Sequence, residues 1–414
     1  MRRISSAMNN IDTQSNLRLQ ESRLNKANNQ ISSQTRLQSL REDPIAAGHL
    51  GRYKSYLSRV NTFEKNAKEL SDQFVLREGY MTNSLEIMQR IRELAVTGAN
   101  GIYNREDLKN MSVEVDELLK ELIQNANAIS ADGNSLFGGT NSKEIPFEIE
   151  MGTVSGSGVP LIQSVRYNGN IDSNQIEVDE NKYMEMNNAG NRAFWAEQQH
   201  VFGSRDASRW QANEDSVIKV DGVNVKINAG DNVYAVAAKI NESGAAVRAS
   251  IDPVTKGLNF ETTDARQLWL QDVSGSALNE LGIIKDSSQK PPYNLGNGVR
   301  LSGGSMFDTV ISFRNALLEG DSEAIGTHVL GAIDSGISSL VTRIAKSGSE
   351  YERAQLNVQR NGSTALAVTS MVSREGDLDF TKAITDLKML DYAHQATLSN
   401  AGKMYSNTLL NYMR

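Results

Sequence analysis

The stretch LDFTKAITDLKMLDYAHQATLSNAGKMYSNTLLNYMR, Leu378–Arg414, decides the fold class. Phe380, Ala383, Leu387, Leu390, His394, Thr397, Ala401 and Met404 follow one another in steps of three and four, a heptad seam on one face of a helix. His394 and Thr397 interrupt the seam, and Ala383 and Ala401 are small. A stripe this thin does not hold a helix in water by itself; its stability has to come from a surface it packs on. That surface is either the chain's own body or another protein. At the opposite end, Leu17, Leu24 and Ile31 recur every seven residues in a run otherwise rich in Asn, Gln, Ser and charge. Neither stripe can build a core alone, so the natural closure brings the two ends together.

Inward from the ends the pattern strengthens. Phe63, Ala67, Leu70, Phe74, Arg77, Met81, Ser84, Met88, Ile91 and Ala95 step by four and three, predicting a long helix that stops at Gly98, Asn100 and Gly101. Leu108, Met111, Val115, Leu118, Leu122, Ala126 and Ile129 predict the next, closed by Asp132-Gly133. Asp43-Pro44 reads as a break before the long helix. Beyond residue 305 the period returns: Met306, Val310, Phe313 and Leu317 up to Gly320, then a run from Asp321 to Val372 whose glycines predict bracing by neighbours or a kink near Gly348.

Residues 146–304 differ. They hold five of the six prolines and all three tryptophans, and the heptads vanish. Alternation predicts strands at 223–227, 247–251 and 258–260, with others near 161–167 and 174–178, and a short helix over Val233–Ile240 begun near Asp231. The expected fold is mainly α: a long-helix bundle and coiled coil built from both termini, with an inserted α+β domain. The expected domains are 1–43 with 377–414 (terminal coiled coil), 44–145 with 305–376 (helical rod) and 146–304 (insertion), the last removable without loss of the arms.

Composition narrows the function. A formal net charge of -7 and a pI near 5.4 favour neither nucleic acid nor an anionic membrane. The absence of cysteine removes disulfide and thiolate chemistry. No 18-residue apolar run and no apolar signal region is read in the sequence, so neither a membrane span nor a cleaved leader is expected. No His-Glu-x-x-His, phosphate loop or nucleophile elbow occurs. Ser216-x-x-Lys219 and Ser287-x-x-Lys290 match a Ser/Lys nucleophile pattern too short to distinguish from chance. No catalytic, metal or cofactor residue is assigned, and no enzyme activity is expected.

Four places resemble the bacterial flagellin family, in the branch found at the hook–filament junction. Ile31-Ser32-Ser33-Gln34-Thr35-Arg36 with Glu42-Asp43-Pro44 is similar to the N-terminal signature, with Gln34 standing where the family has Gly, Thr35 where it has Lys and Leu40 where it has Pro. Arg90-Ile91-Arg92-Glu93-Leu94-Ala95 with Asn100-Gly101 resembles the second signature. Residues 218–284 are similar to the family's Ile-Asn module, with Ile240-Asn241 as its naming pair, and Leu409-Leu410-Asn411-Tyr412-Met413-Arg414 resembles the terminal segment.

The resemblance implies a structural adaptor between hook and filament, exported through the flagellar type III apparatus. The flagellum would be external or periplasmic. Implied partners are hook-associated protein one, flagellin, further copies of the chain in a ring, and a cytosolic export chaperone; filament flagellin itself and a glycan-binding adhesin are the rivals. A tube needs contacts that do not close in pairs, and half-filled seams at both ends supply them. The subunit-interface residues on this reading are Leu17, Leu24, Ile31, Phe380, Ala383, Leu387, Leu390, His394, Thr397, Ala401, Met404, Leu409 and Leu410. His394 reads as a polar residue that fixes register, or as a pH switch. Residues 1–43 and 378–414 are expected to be disordered in the free monomer and to order on assembly.

Overall fold

The computed structural model describes residues 6–187 and 189–410. Three helices come first: α1 (Ser6–Ser33), α2 (Pro44–Ala99) and α3 (Arg105–Ala126). The middle of the chain carries β1 (Phe147–Gly152), β2 (Leu161–Tyr167), β3 (Gln175–Asp179), β4 (Lys182–Glu185), the one-turn α4 (Gly190–Ala193), β5 (His200–Phe202), β6 (Ser216–Val220) and β7 (Val223–Ile227). Then follow α5 (Val233–Glu242), β8 (Val247–Ile251), β9 (Leu258–Thr262), β10 (Leu270–Ser274), the one-turn α6 (Ala277–Glu280) and β11 (Arg300–Ser302). The chain returns to helix with α7 (Met306–Glu319), the short α8 (Ser322–Ala324), a π-helical turn (Ile325–Val329), α9 (Leu330–Gly376) and α10 (Phe380–Leu410). Two compact units result, one from the two ends up to Lys65 and from Asn357, the other from Asn66–Leu356.

Local chemistry explains the boundaries. Asp43-Pro44 begins a helix: the Asp43 carboxylate accepts from Ala46 N at 3.0 Å, and proline suits the first helical position because its missing N–H has no partner there anyway. The long helix therefore starts 19 residues before Phe63, where the sequence placed it. Asn104 caps α3 and Asn232, one residue after the expected Asp231, caps α5. Ser305 and Asp308 form a reciprocal capping box at the start of α7, and Gly320, at φ 78°, ends it. Helix α9 runs without a break through Gly348. Its Gly336 explains one of the costly glycines: a Cβ there would come within 3.2 Å of Met88 Cε. An 18-residue window in Ser322–Gly376 has mean hydropathy 1.2, enough by length and composition to cross a membrane. In that helix Ile325, Val329, Ile333 and Leu340 lie in the protein core, while 28% of the window as a whole is buried.

In the second unit two cores form. The first joins α2, α3, α7 and α9 to the antiparallel hairpin β1–β2. Phe137, Phe147, Phe194 and Phe307 meet at centroid distances of 5.0–5.7 Å, with Tyr167 5.2 Å from Phe147. The second core lies between the antiparallel sheets β10–β6–β7 and β11–β5–β9–β8 and helices α5 and α6. The composition break at residue 146 is thus no break in packing. Phe147, Ile162, Val165, Tyr167 and Phe194 belong to the helices' core, and the separate module begins near residue 197.

Arg314 sits in that first core with its side chain wholly buried. Its Nη1 reaches Asp116 at 2.8 Å and its Nη2 donates to Ile162 O at 2.7 Å. Removing one member of a buried pair strands the other charge. Arg314→Met is expected to lower the unfolding free energy by about 3–5 kcal/mol, read by urea unfolding of the full chain. The low end is favoured, because Lys120 still holds Asp116 at 3.0 Å. A loss within experimental error would show that the pair is dispensable.

Candidate assembly interface

The first unit is organised by a joint. Helix α1 ends at Ser33 and α10 begins at Phe380, and the segments between them pair: Arg36 N donates to Gly376 O at 2.8 Å and Leu378 N to Gln34 O at 3.1 Å. The Arg36 guanidinium donates to Glu375 O at 2.9 and 3.1 Å and lies 3.7 Å from Asp43 and 3.6 Å from Glu375. Gln34 has φ 56°, in the left-handed region that favours glycine. Gln34 holds that conformation at a cost of about 1–2 kcal/mol.

Because α1 enters the joint and α10 leaves it, the two helices lie antiparallel along one another. Counting away from the joint, α1 is half-buried at Ile31, Ala27, Leu24, Gln20 and Leu17, and α10 at Ala383, Leu387, Leu390, His394 and Thr397. Both series step by four, three, four, three, so the seams keep pace level by level. Ala401 closes the α10 series at 6% exposure. Gln20 and Ala27 complete the α1 seam and were not read from the sequence, since a glutamine and an alanine carry no apolar signal; the three-four spacing between the leucines was the available clue.

Of the expected interface residues, Leu17, Leu24, Ile31, Ala383, Leu387, Leu390, His394, Thr397 and Ala401 are thus brought together within one chain. Phe380 is not. It opens α10 behind the Asp379 cap and stays 46% exposed. At about 100° per residue it points with Leu398 and Ile384 to a flank of the seam. The side chains of Met404, Leu409 and Leu410 lie outside the described residues.

Pairing covers only one face. Leu19, Phe380, Ile384, Met389, Tyr392 and Leu398 are exposed on the two helices. Two buried polar atoms at one level of the seam, Gln20 Oε1 and His394 Nδ1, have no hydrogen-bond partner. A packed bundle leaves few such atoms.

No catalytic constellation competes with this reading among the described residues. Ser216 and Lys219 stand three apart on strand β6, hence on opposite faces, and Lys219 is held by Asp172 at 2.9 Å. Lys290 Nζ is engaged by Asn168 O. No group of three or more His, Asp or Glu side chains that could hold a metal occurs among the described residues.

Residues 4–142 match the bacterial flagellin N-terminal helical region, and residues 213–264 the flagellin hook IN motif. Flagellin of Salmonella muenchen is 23% identical over 62% of this chain and 50% of its own length, so the chain spans about half of that relative. Polar flagellin A of Vibrio parahaemolyticus is 23% identical over 90% of this chain and 89% of its own. Among solved structures, flagellar hook-associated protein 3 of Legionella pneumophila aligns over 78% of this chain and 98% of its own, at 14% identity and a TM-score of 0.48.

Proposed function

We propose that this chain, whose residues 4–142 match the bacterial flagellin N-terminal helical region and residues 213–264 the flagellin hook IN motif, is a non-enzymatic structural adaptor of the flagellum, joining hook-associated protein one to the flagellin filament in the manner of hook-associated protein three. The half-covered α1–α10 pair carries the reading. It buries one seam and leaves apolar residues and unpaired polar atoms on a helix pair that, among the described residues, contributes to neither of the two hydrophobic cores. Neighbouring copies in a ring, hook-associated protein one on one side and flagellin on the other, are the surfaces that complete it. The same exposed helix is the segment an export chaperone would hold before passage through the type III apparatus to the cell exterior, or to the periplasm where the flagellum is periplasmic.

Filament flagellin is the second reading, supported by the Vibrio relative that matches nearly end to end. Copy number separates the two. The chain has no cysteine, so Tyr392→Cys gives a single cross-linking site on the exposed face. In isolated flagella, quantitative immunoblotting is expected to find the chain as a trace component at the hook end, cross-linked to a neighbour. A bulk band labelled along the whole filament would replace the adaptor by flagellin.

A further inference from the structure

In the second unit a cavity of about 80 Å³ lies where α2, α9 and the segment from β4 to α4 meet, lined by Met81, Glu185, Arg192, Lys346, Ser347 and Glu350. By volume it holds two or three waters, at about 30 Å³ each, or one small ion. Its polar lining is unbalanced. Ser347 is 2% exposed and its Oγ has no partner; the Arg192 Nε is buried and unpartnered too. One helical turn before Met81, Arg77 is 2% exposed, and its Nε and Nη1 are likewise unpartnered while Nη2 serves Gln73 and the Met186 carbonyl. The arginine nitrogens are donors, and the Ser347 hydroxyl can donate or accept.

The charged side chains of the lining stand near carboxylates. Arg343 also lines the cavity but is held by Asp264 at 2.8 Å, and Lys346 stands 3.8 Å from Glu350. Arg192 stands 3.8 Å from Asp221, and the carboxylates that line the cavity are Glu185 and Glu350. Burial pushes Arg77 down to about 10 and pushes the Glu350 carboxyl up, so neither is at ease in this setting.

We propose that the cavity is a structural anion site, taking one small inorganic anion such as a halide on Ser347 Oγ and Arg192 Nε, with Arg77 supplying charge from beside it. The anion would tie α9 to α2 and to the α4 segment. Bromide is the probe. Crystals of the full chain grown in bromide are expected to show an anomalous peak within hydrogen-bond reach of Ser347 Oγ and Arg192 Nε. In solution, replacing gluconate by bromide at constant ionic strength is expected to raise the thermal midpoint saturably, by about 2–4 °C. Ser347→Ala, a small change on a helix, is expected to lose that rise, and Arg192→Gln likewise. Phosphate in place of bromide tests whether an oxyanion also fits. Water density without anomalous signal, or an equal rise in wild type and Ser347→Ala, overturns the site.

Discussion

Deleting residues 198–302 and closing the gap with a short glycine linker is expected to leave a folded helical protein, whereas deleting 146–304 is expected to leave none. The chain enters and leaves the separate module side by side. Ala196 N donates to Gly304 O at 3.1 Å, Met306 N to Phe194 O at 2.9 Å, and Trp195 bridges to Ser305. Between those points the second core is filled from within, by Val201 through Ile284. The shorter deletion does remove Trp269, which packs in the first core, and the bonds between Gln267 and Asn191. Its cost is of the size of one large core truncation, about 3–5 kcal/mol.

The longer deletion strips Phe147, Ile162, Val165, Tyr167 and Phe194 from around Phe307 and takes away the Ile162 carbonyl on which Arg314 rests. Several such losses exceed the roughly 5–15 kcal/mol that holds a whole domain. Circular dichroism melts and limited proteolysis of the two variants decide. Cooperative melting of the longer deletion, or an unfolded shorter one, would put the module boundary elsewhere.

That boundary shows what a sequence can and cannot disclose. Heptads are local, so α3, α7 and the seam of α10 were legible from spacing alone. Strands β7 and β8 were legible from alternation, β1, β6 and β10 were not read although they have five or six residues, and β4, β5 and β11, at three or four residues, are too short to alternate. Asp43-Pro44 was ambiguous because the pair both interrupts a preceding helix and starts a new one; the carboxylate bond to Ala46 N settles it. Residues 146–196 misled by composition. Their prolines and aromatics look foreign to a helical rod, yet the aromatics cross-pack with Phe307, 160 residues on from Phe147. The role of Arg314 left no local signal, since its partner Asp116 is 198 residues distant in the chain. Of the interface, the seam positions were readable, but not which side of α10 the chain itself would cover, because that depends on how the joint at Gln34–Arg36 directs the two helices.

Substituting Leu387→Glu is expected to abolish incorporation into flagella while leaving the second unit folded. Leu387 sits in the half-buried seam of α10, level with Ala27 of α1 when both are counted from the joint. Large apolar side chains are scarce there: Leu17, Leu24 and Ile31 on one helix, Leu387 and Leu390 on the other. Losing one removes a packing contribution that costs about 2–5 kcal/mol in a full core, somewhat less at half burial. A carboxylate in its place must also be desolvated beside a seam that already holds two unpaired polar atoms. The second unit keeps both of its cores and has no share in that loss. The variant should therefore retain the melting transition of the second unit and lose motility. Amide exchange adds the mechanism. If the ends order only when neighbours complete them, α1 and α10 of wild-type monomer should exchange fast, and Leu387→Glu should leave that rate unchanged while abolishing the protection gained on assembly. Slow exchange across Leu17–Ile31 and Leu387–Ala401 in a verified monomer would mean that the intrachain seam is sufficient by itself. A Leu387→Glu strain that swims normally would remove the seam from the assembly interface altogether.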